Sequence, residues 1–142
     1  MNERKIITNI VYPFDSKYPT DYIKVYYTLN SELENMLDNS GYKKIFLSKY
    51  RKSLRFLERL KTRCCIGNKD LFEKLLDEDN LYSIRFLGEK NIRILFTFFS
   101  VNGSGKAILL NVFEEKTKSD YENGKRIARK RRDEIIDAFR SD

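Results

Sequence analysis

The spacing of apolar residues changes period along the chain, and each change predicts an element. From Tyr42 to about Lys61, Phe46, Tyr50, Leu54, Leu57 and Leu60 recur at the spacing of one helical face, with Lys and Arg on the outer face. Upstream, the β-branched and aromatic run Asp21–Leu29 predicts a strand. Ser31 followed by Glu34 forms a capping-box signature that predicts a short helix ending near Gly41.

Downstream, the period falls to two. Leu81–Leu87, Ile92–Phe99 and Ala107–Phe113 are expected strands, joined by Gly88-Glu89-Lys90-Asn91 and by a loop holding Asn102-Gly103-Ser104-Gly105, both suited to hairpins. Between Asn68 and Asn80, the segment Asp70–Leu76 is either a helical turn or an irregular linker. From Ser119 or Asp120 the pattern is helical again, with Gly124, Ile127, Ala128, Ile135, Ala138 and Phe139 on one side. Residues 1–20, with Pro13 and Pro19, form an extension that caps or edges the domain. The expected architecture is α+β. An N-terminal strand and two helices pack on an antiparallel sheet of three to four strands, followed by a basic C-terminal helix, all in a single domain whose core is residues 21–142.

Strand alternation sorts the meander residues. Ile84 and Phe86, with Ile92, Ile94 and Phe96, belong to an apolar row, while Ser83, Arg85 and Arg93 lie opposite. In the third strand Ile108, Leu110 and Val112 oppose Ala107, Leu109 and Asn111. Arg85, Arg93 and Asn111 are therefore expected on one polar face, and Ile84, Ile94 and Leu110 on the apolar one. Lys116, Lys118 and Tyr121 follow the last strand, so two guanidinium forks and two ammonium groups can surround a phosphate. A solvated sheet face with paired arginines accounts for the same spacing.

Charge adds a partner class. The 142 residues carry a formal net charge of +7, which attracts polyanions in a salt-dependent way. Hydrophobic residues at 41% and charged residues at 35% are the balance of a folding chain. The chain has no histidine, which removes His-based triads and most zinc-water hydrolases, and no metal or cofactor is expected. Cys64 and Cys65 are neighbours that form no metal set, and are expected as buried or incidental thiols. Gly103-Ser104-Gly105-Lys106 lacks the full spacing of a phosphate-binding loop and joins two strands, so a hairpin tip is expected. Residues Met1–Asn9 lack the apolar core of a secretion signal and no window has the apolar length of a membrane span, which predicts a cytoplasmic protein.

The phrases LYSIRF (Leu81–Phe86), NIRILF (Asn91–Phe96) and LLNVFEEKTKSDY (Leu109–Tyr121), in the order strand, two helices, meander and basic helix, resemble the RelE/ParE toxin superfamily, in particular its HigB-like, phage-derived branch. The resemblance covers about Asp21 to Phe139 and implies a type II toxin, held in check by a cognate helix-turn-helix antitoxin. Such a toxin cleaves messenger RNA on the ribosome without a metal. It places Arg85 and Arg93 on the phosphate, Lys116 or Tyr121 in proton transfer, and Glu115 as a feasible base or as the partner of Lys118 or of the C-terminal helix. The chain departs from the family phrases at Ser83, at Asn111 and at Glu115, where a basic residue is usual.

Lys118, Lys125, Arg126, Arg129 and Arg132 are the candidate RNA-binding residues, and the Lys125–Arg132 run has three uses open to it: ribosomal RNA, an acidic antitoxin, or a solvated helix face. Two other functions fit the same fold. One is a ParE-like protein that poisons DNA gyrase, and the other is a ribosome- or RNA-binding member without catalysis.

Overall fold

The computed structural model describes residues 6–140, so the first five residues of the expected extension lie outside the described residues. Its strands are β1 (Ile7–Thr8), β2 (Ile23–Tyr26), β3 (Phe72–Lys74), β4 (Tyr82–Phe86), β5 (Ile92–Val101) and β6 (Ser104–Glu114). Its helices are α1 (Leu29–Leu37), α2 (Lys43–Leu60) and α3 (Lys118–Arg140). The fold is α+β, but the sheet has six strands in the order β1-β2-β6-β5-β4-β3. It is also mixed, because β2 runs parallel to β6 while the other pairs are antiparallel. The expected all-antiparallel sheet is corrected here. The long connection from β2 to β6 through α1, α2 and the meander lets β6 return alongside β2 in the same direction, which a tight hairpin cannot do.

The two faces of the sheet are covered by different helices. Leu29, Leu33 and Leu37 of α1 and Phe46, Tyr50, Leu54 and Leu57 of α2 are fully buried against Ile23, Val25, Ile84, Ile94, Phe96 and Leu109. Each such burial contributes roughly 1.5–3 kcal/mol, so this layer is the main source of stability. On the other face, Ala128 and Ile135 of α3 meet Tyr26, Leu81, Leu95, Ile108 and Leu110. The extension is part of the core: β1 pairs with β2, and Ile10 is fully buried among the α1 and α2 side chains.

Three local expectations change. The segment Asp70–Leu76 supplies β3, paired with β4 through Phe72–Ile84 and Glu73–Ser83. Its apolar residues Leu71, Phe72, Leu75 and Leu76 mimic a helical spacing, yet Phe72 is buried against Phe96 and the open edge of β4 takes the backbone. Helix α1 starts at Leu29, ahead of the Ser31 box, because burial of Leu29, Leu33 and Leu37 on one stripe outweighs the local cap.

The third change is a bulge. Leu95 pairs with Asn111 and Phe96 with Leu109, which leaves Leu110 as the extra residue of β6. The bulge resets the alternation, so Leu110 packs under α3 with Ile108 while Val112 turns to the α2 face. Leu110 therefore does not share the face of Ile84 and Ile94, as strict alternation predicts. Asn111 stays on the side of Arg93, although it is buried under α3 instead of looking out.

Candidate functional site

Arg85 of β4 and Arg93 of β5 are direct cross-strand partners, so two cations sit side by side at one end of the sheet. Like charges in this position destabilise a sheet unless something answers them. Arg93 is answered: its Nε donates to Glu115 at 2.5 Å, and its Nη1 donates to Glu73 and to the Ser83 hydroxyl, each at 3.2 Å. Arg85 is not, since its Nε is buried with no hydrogen-bond partner among the described residues.

Tyr121 closes this corner from α3. The Arg93 guanidinium carbon lies 4.5 Å from the centre of its ring, and Lys125 Nζ lies 4.8 Å from it. The helix is set in place by a capping box: Thr117 Oγ1 accepts from the Asp120 N–H at 3.3 Å, and Asp120 accepts from the N–H groups of Lys116 and Thr117 at 2.9 Å each. One turn on, the Gly124 backbone lies against the Phe113 ring, and Asn111 Nδ2 donates to the Gly124 carbonyl at 2.9 Å.

The result is a cleft of ≈ 480 Å³ lined by Arg85, Arg93, Lys116 and Lys118, with Glu115 and Tyr121. Four cations and one carboxylate line the opening, which gives it an excess of positive charge. Arg93 remains a cation: burial alone would lower it, but the hydrogen bond and charge of Glu115 hold it above its ordinary value. Burial pushes the Tyr121 phenol up, and Glu73 and Glu115 add to this against the pull of Arg93 and Lys125. Tyr121 is thus a proton donor at neutral pH, and the crowded cations do not turn it into a base. Lys116 stands at the rim, 72% exposed and 4.0 Å from Glu114.

Lys118 lines the cleft, and Lys125 adjoins it while paired to Glu122 at 2.9 Å. Arg126, Arg129 and Arg132 do not line it. Arg126 is exposed and donates to Asn123. Arg129 is paired with Glu78 at 2.9 Å, and Arg132 donates to the Asp79 carbonyl and to Asp133, so both fasten the loop after β3 to α3.

Glu73 was not legible as a site residue, because only the pairing of β3 brings it to Arg93. Thr117 had a signal, the Thr-x-x-Asp spacing before a helical pattern. Cys64 is buried, and burial raises its thiol to about 12, which leaves it unreactive. Among the described residues no cluster of His, Cys, Asp or Glu is placed to hold a metal ion, and no helix is long and apolar enough to cross a membrane. Compared with known proteins, the chain matches no family model, no curated protein and no solved structure.

Proposed function

We propose that this protein is a toxin of the RelE/ParE type that cleaves messenger RNA on the ribosome and is silenced by a cognate helix-turn-helix antitoxin. The observation that carries the proposal is the cross-strand arginine pair, in which Arg93 is held by carboxylates while Arg85 Nε is buried without a partner among the described residues. Arg85 and Arg93 face one another at the floor of an open cationic cleft, a costly arrangement that an RNA phosphate relieves. The family phrases noted in the sequence fall on the strands and the helix start that build this corner.

In this mechanism the phosphate takes the place of Glu115 on the Arg93 fork, and the freed carboxylate accepts the proton of the RNA 2′-hydroxyl. The 2′-oxygen bonds to phosphorus, the bond to the 5′-oxygen breaks, and Tyr121 returns a proton to the leaving oxygen. The products are a 2′,3′-cyclic phosphate and a 5′-hydroxyl. Arg85 and Arg93 stabilise the charge that builds on the phosphorane oxygens.

The test is induction in cells followed by primer extension on cellular messages, comparing wild type with Arg93→Ala at matched expression. The expected result is cleavage by wild type and a loss of roughly a hundredfold, about 3 kcal/mol, in the variant. Equal cleavage by both proteins defeats the assignment.

A second reading has its own support. The Arg93 fork is already held by Glu115, Glu73 and Ser83, which suits a protein that binds RNA or the ribosome without cutting. Ribosome binding with intact messages selects that reading, and growth arrest with gyrase inhibition selects the ParE-like one.

A further inference from the structure

A dense run of basic residues lies on the opposite side of the sheet from the cleft, on α2 and the turn after it. Residues 43–63, spanning α2 and the turn after it, contain nine Lys or Arg residues and a single carboxylate, Glu58. Arg51, Arg55 and Arg59 follow one another at intervals of four on α2, so each lies about 6 Å further along the helix axis and a few tens of degrees around it, and Arg63 continues the sequence in the turn beyond the helix end. All four are exposed.

The row faces little opposing charge, with Asp15 beside Arg51 and Arg55 but not in an ion pair with them. None of the four arginines makes an ion pair among the described residues, and Glu58 is engaged by the Thr20 hydroxyl at 2.6 Å. Two of them rest on aromatic rings instead: Arg51 lies 5.3 Å from the Phe14 ring centre and Arg59 lies 5.1 Å from that of Phe56. Helix α3 gives the internal contrast, because its Arg129, Arg131 and Arg132 are tied to Glu78, Glu32 and Asp133. Like charges four apart on a helix repel, so Arg51, Arg55 and Arg59 form a standing repulsion that a polyanion removes.

We infer that the Arg51–Arg55–Arg59–Arg63 row docks the phosphate backbone of a structured RNA, independently of the cleft. Arginine forks match phosphate oxygens, Arg51, Arg55 and Arg59 repeat along the rigid axis of α2 as a backbone does, and the half-buried rings of Phe14 and Tyr18 beside Arg51 and Arg55 add flat apolar surface. The sheet then separates two anion sites, one a concave cleft for a single phosphate and the other a linear surface for a strand.

The test is binding of the purified full chain to a short RNA duplex of arbitrary sequence, by fluorescence anisotropy over a salt series. Three proteins are compared: wild type, the fourfold Arg→Gln variant of the row, and Arg85→Gln/Arg93→Gln. The row variant is expected to lower the slope of log affinity against log salt by about 3 to 4, roughly 0.9 for each lost phosphate contact. The cleft variant is expected to retain most of the slope. A fourfold Arg→Lys variant, which keeps the charge, is expected to restore it, and circular dichroism checks that α2 is intact.

An unchanged slope in the row variant, or a wild-type protein that does not bind the duplex, overturns the inference. Tighter binding of poly-glutamate than of RNA also overturns it, and assigns the row to an acidic protein segment. Because the RNA here is not cleaved at the cleft, failure of the proposed nuclease activity leaves this measurement intact.

Discussion

Arg93 and Glu115 form a 2.5 Å ion pair that joins β5 to the segment leading into α3, with the Arg93 side chain 13% exposed. In the proposed mechanism this carboxylate occupies the Arg93 fork that an incoming phosphate takes over. Glu115→Gln is expected to strengthen binding of a short RNA by several-fold, because the competitor loses its charge. Cleavage is expected to fall if the carboxylate is the base, while stability drops by about 1 to 2 kcal/mol. Urea denaturation and RNA titration check the two effects separately, and unchanged RNA affinity removes Glu115 as the gate of the cleft.

Arg131 carries a structural load distinct from the rest of the basic helix. It donates to both Glu32 oxygens at 2.6 and 2.8 Å and to the Leu110 carbonyl at 2.8 Å, and lies 4.5 Å from the Tyr26 ring centre. It therefore bolts α3 to α1 and holds the bulge. Arg131→Ala is expected to cost about 2 kcal/mol, and Arg131→Lys is expected to recover only part, since an ammonium cannot span the fork. A denaturation midpoint equal to that of wild type would contradict this.

Gly124 is needed for closeness, with no special dihedral involved. A Cβ placed there falls 2.3 Å from Phe113 Cε1 and 2.6 Å from two more of its ring atoms. Gly124→Ala gains about 1 kcal/mol in helix propensity but loses about 1 to 3 kcal/mol to overpacking, and is expected to be destabilising overall. Gly124→Ala/Phe113→Leu is expected to regain the loss. Stabilisation by the single alanine would show that α3 moves freely off the sheet.

The pH dependence of the α3 start follows from Asp120, whose carboxyl is held below its ordinary value by the N–H groups of Lys116 and Thr117. A carboxyl depressed in the folded state contributes stability that is full above its unfolded value and lost as pH falls through the folded one. Asp120→Ala is expected to lower Tm at pH 7, with the gap from wild type closing as pH drops below about 4. A gap that persists at low pH would assign the effect to packing and not to the cap.

The order of the three helices and the three meander strands, the position of α2 and the two hairpins were legible because they depend on periods and turn chemistry within a short stretch of chain. Asn102 and Gly103, for example, both take positive φ in the two-residue turn that their identities call for. That Arg85 and Arg93 share one face of the sheet was legible for the same reason, through strand alternation, whereas their direct cross-strand pairing came from the register of β4 on β5.

What only the tertiary structure decided involves residues far apart or defects that no local period encodes. The bulge at Leu110 moved that side chain under α3, the vacant edge of β4 turned Asp70–Leu76 into β3, and that edge brought Glu73 to Arg93. The use of each cation was decided at the same level. Carboxylates from Glu32 and Glu78 pair with Arg131 and Arg129 of α3, whereas among the described residues none forms an ion pair with Arg51, Arg55, Arg59 or Arg63, because charge is written in the sequence but its compensation depends on which surfaces folding brings within a few ångströms.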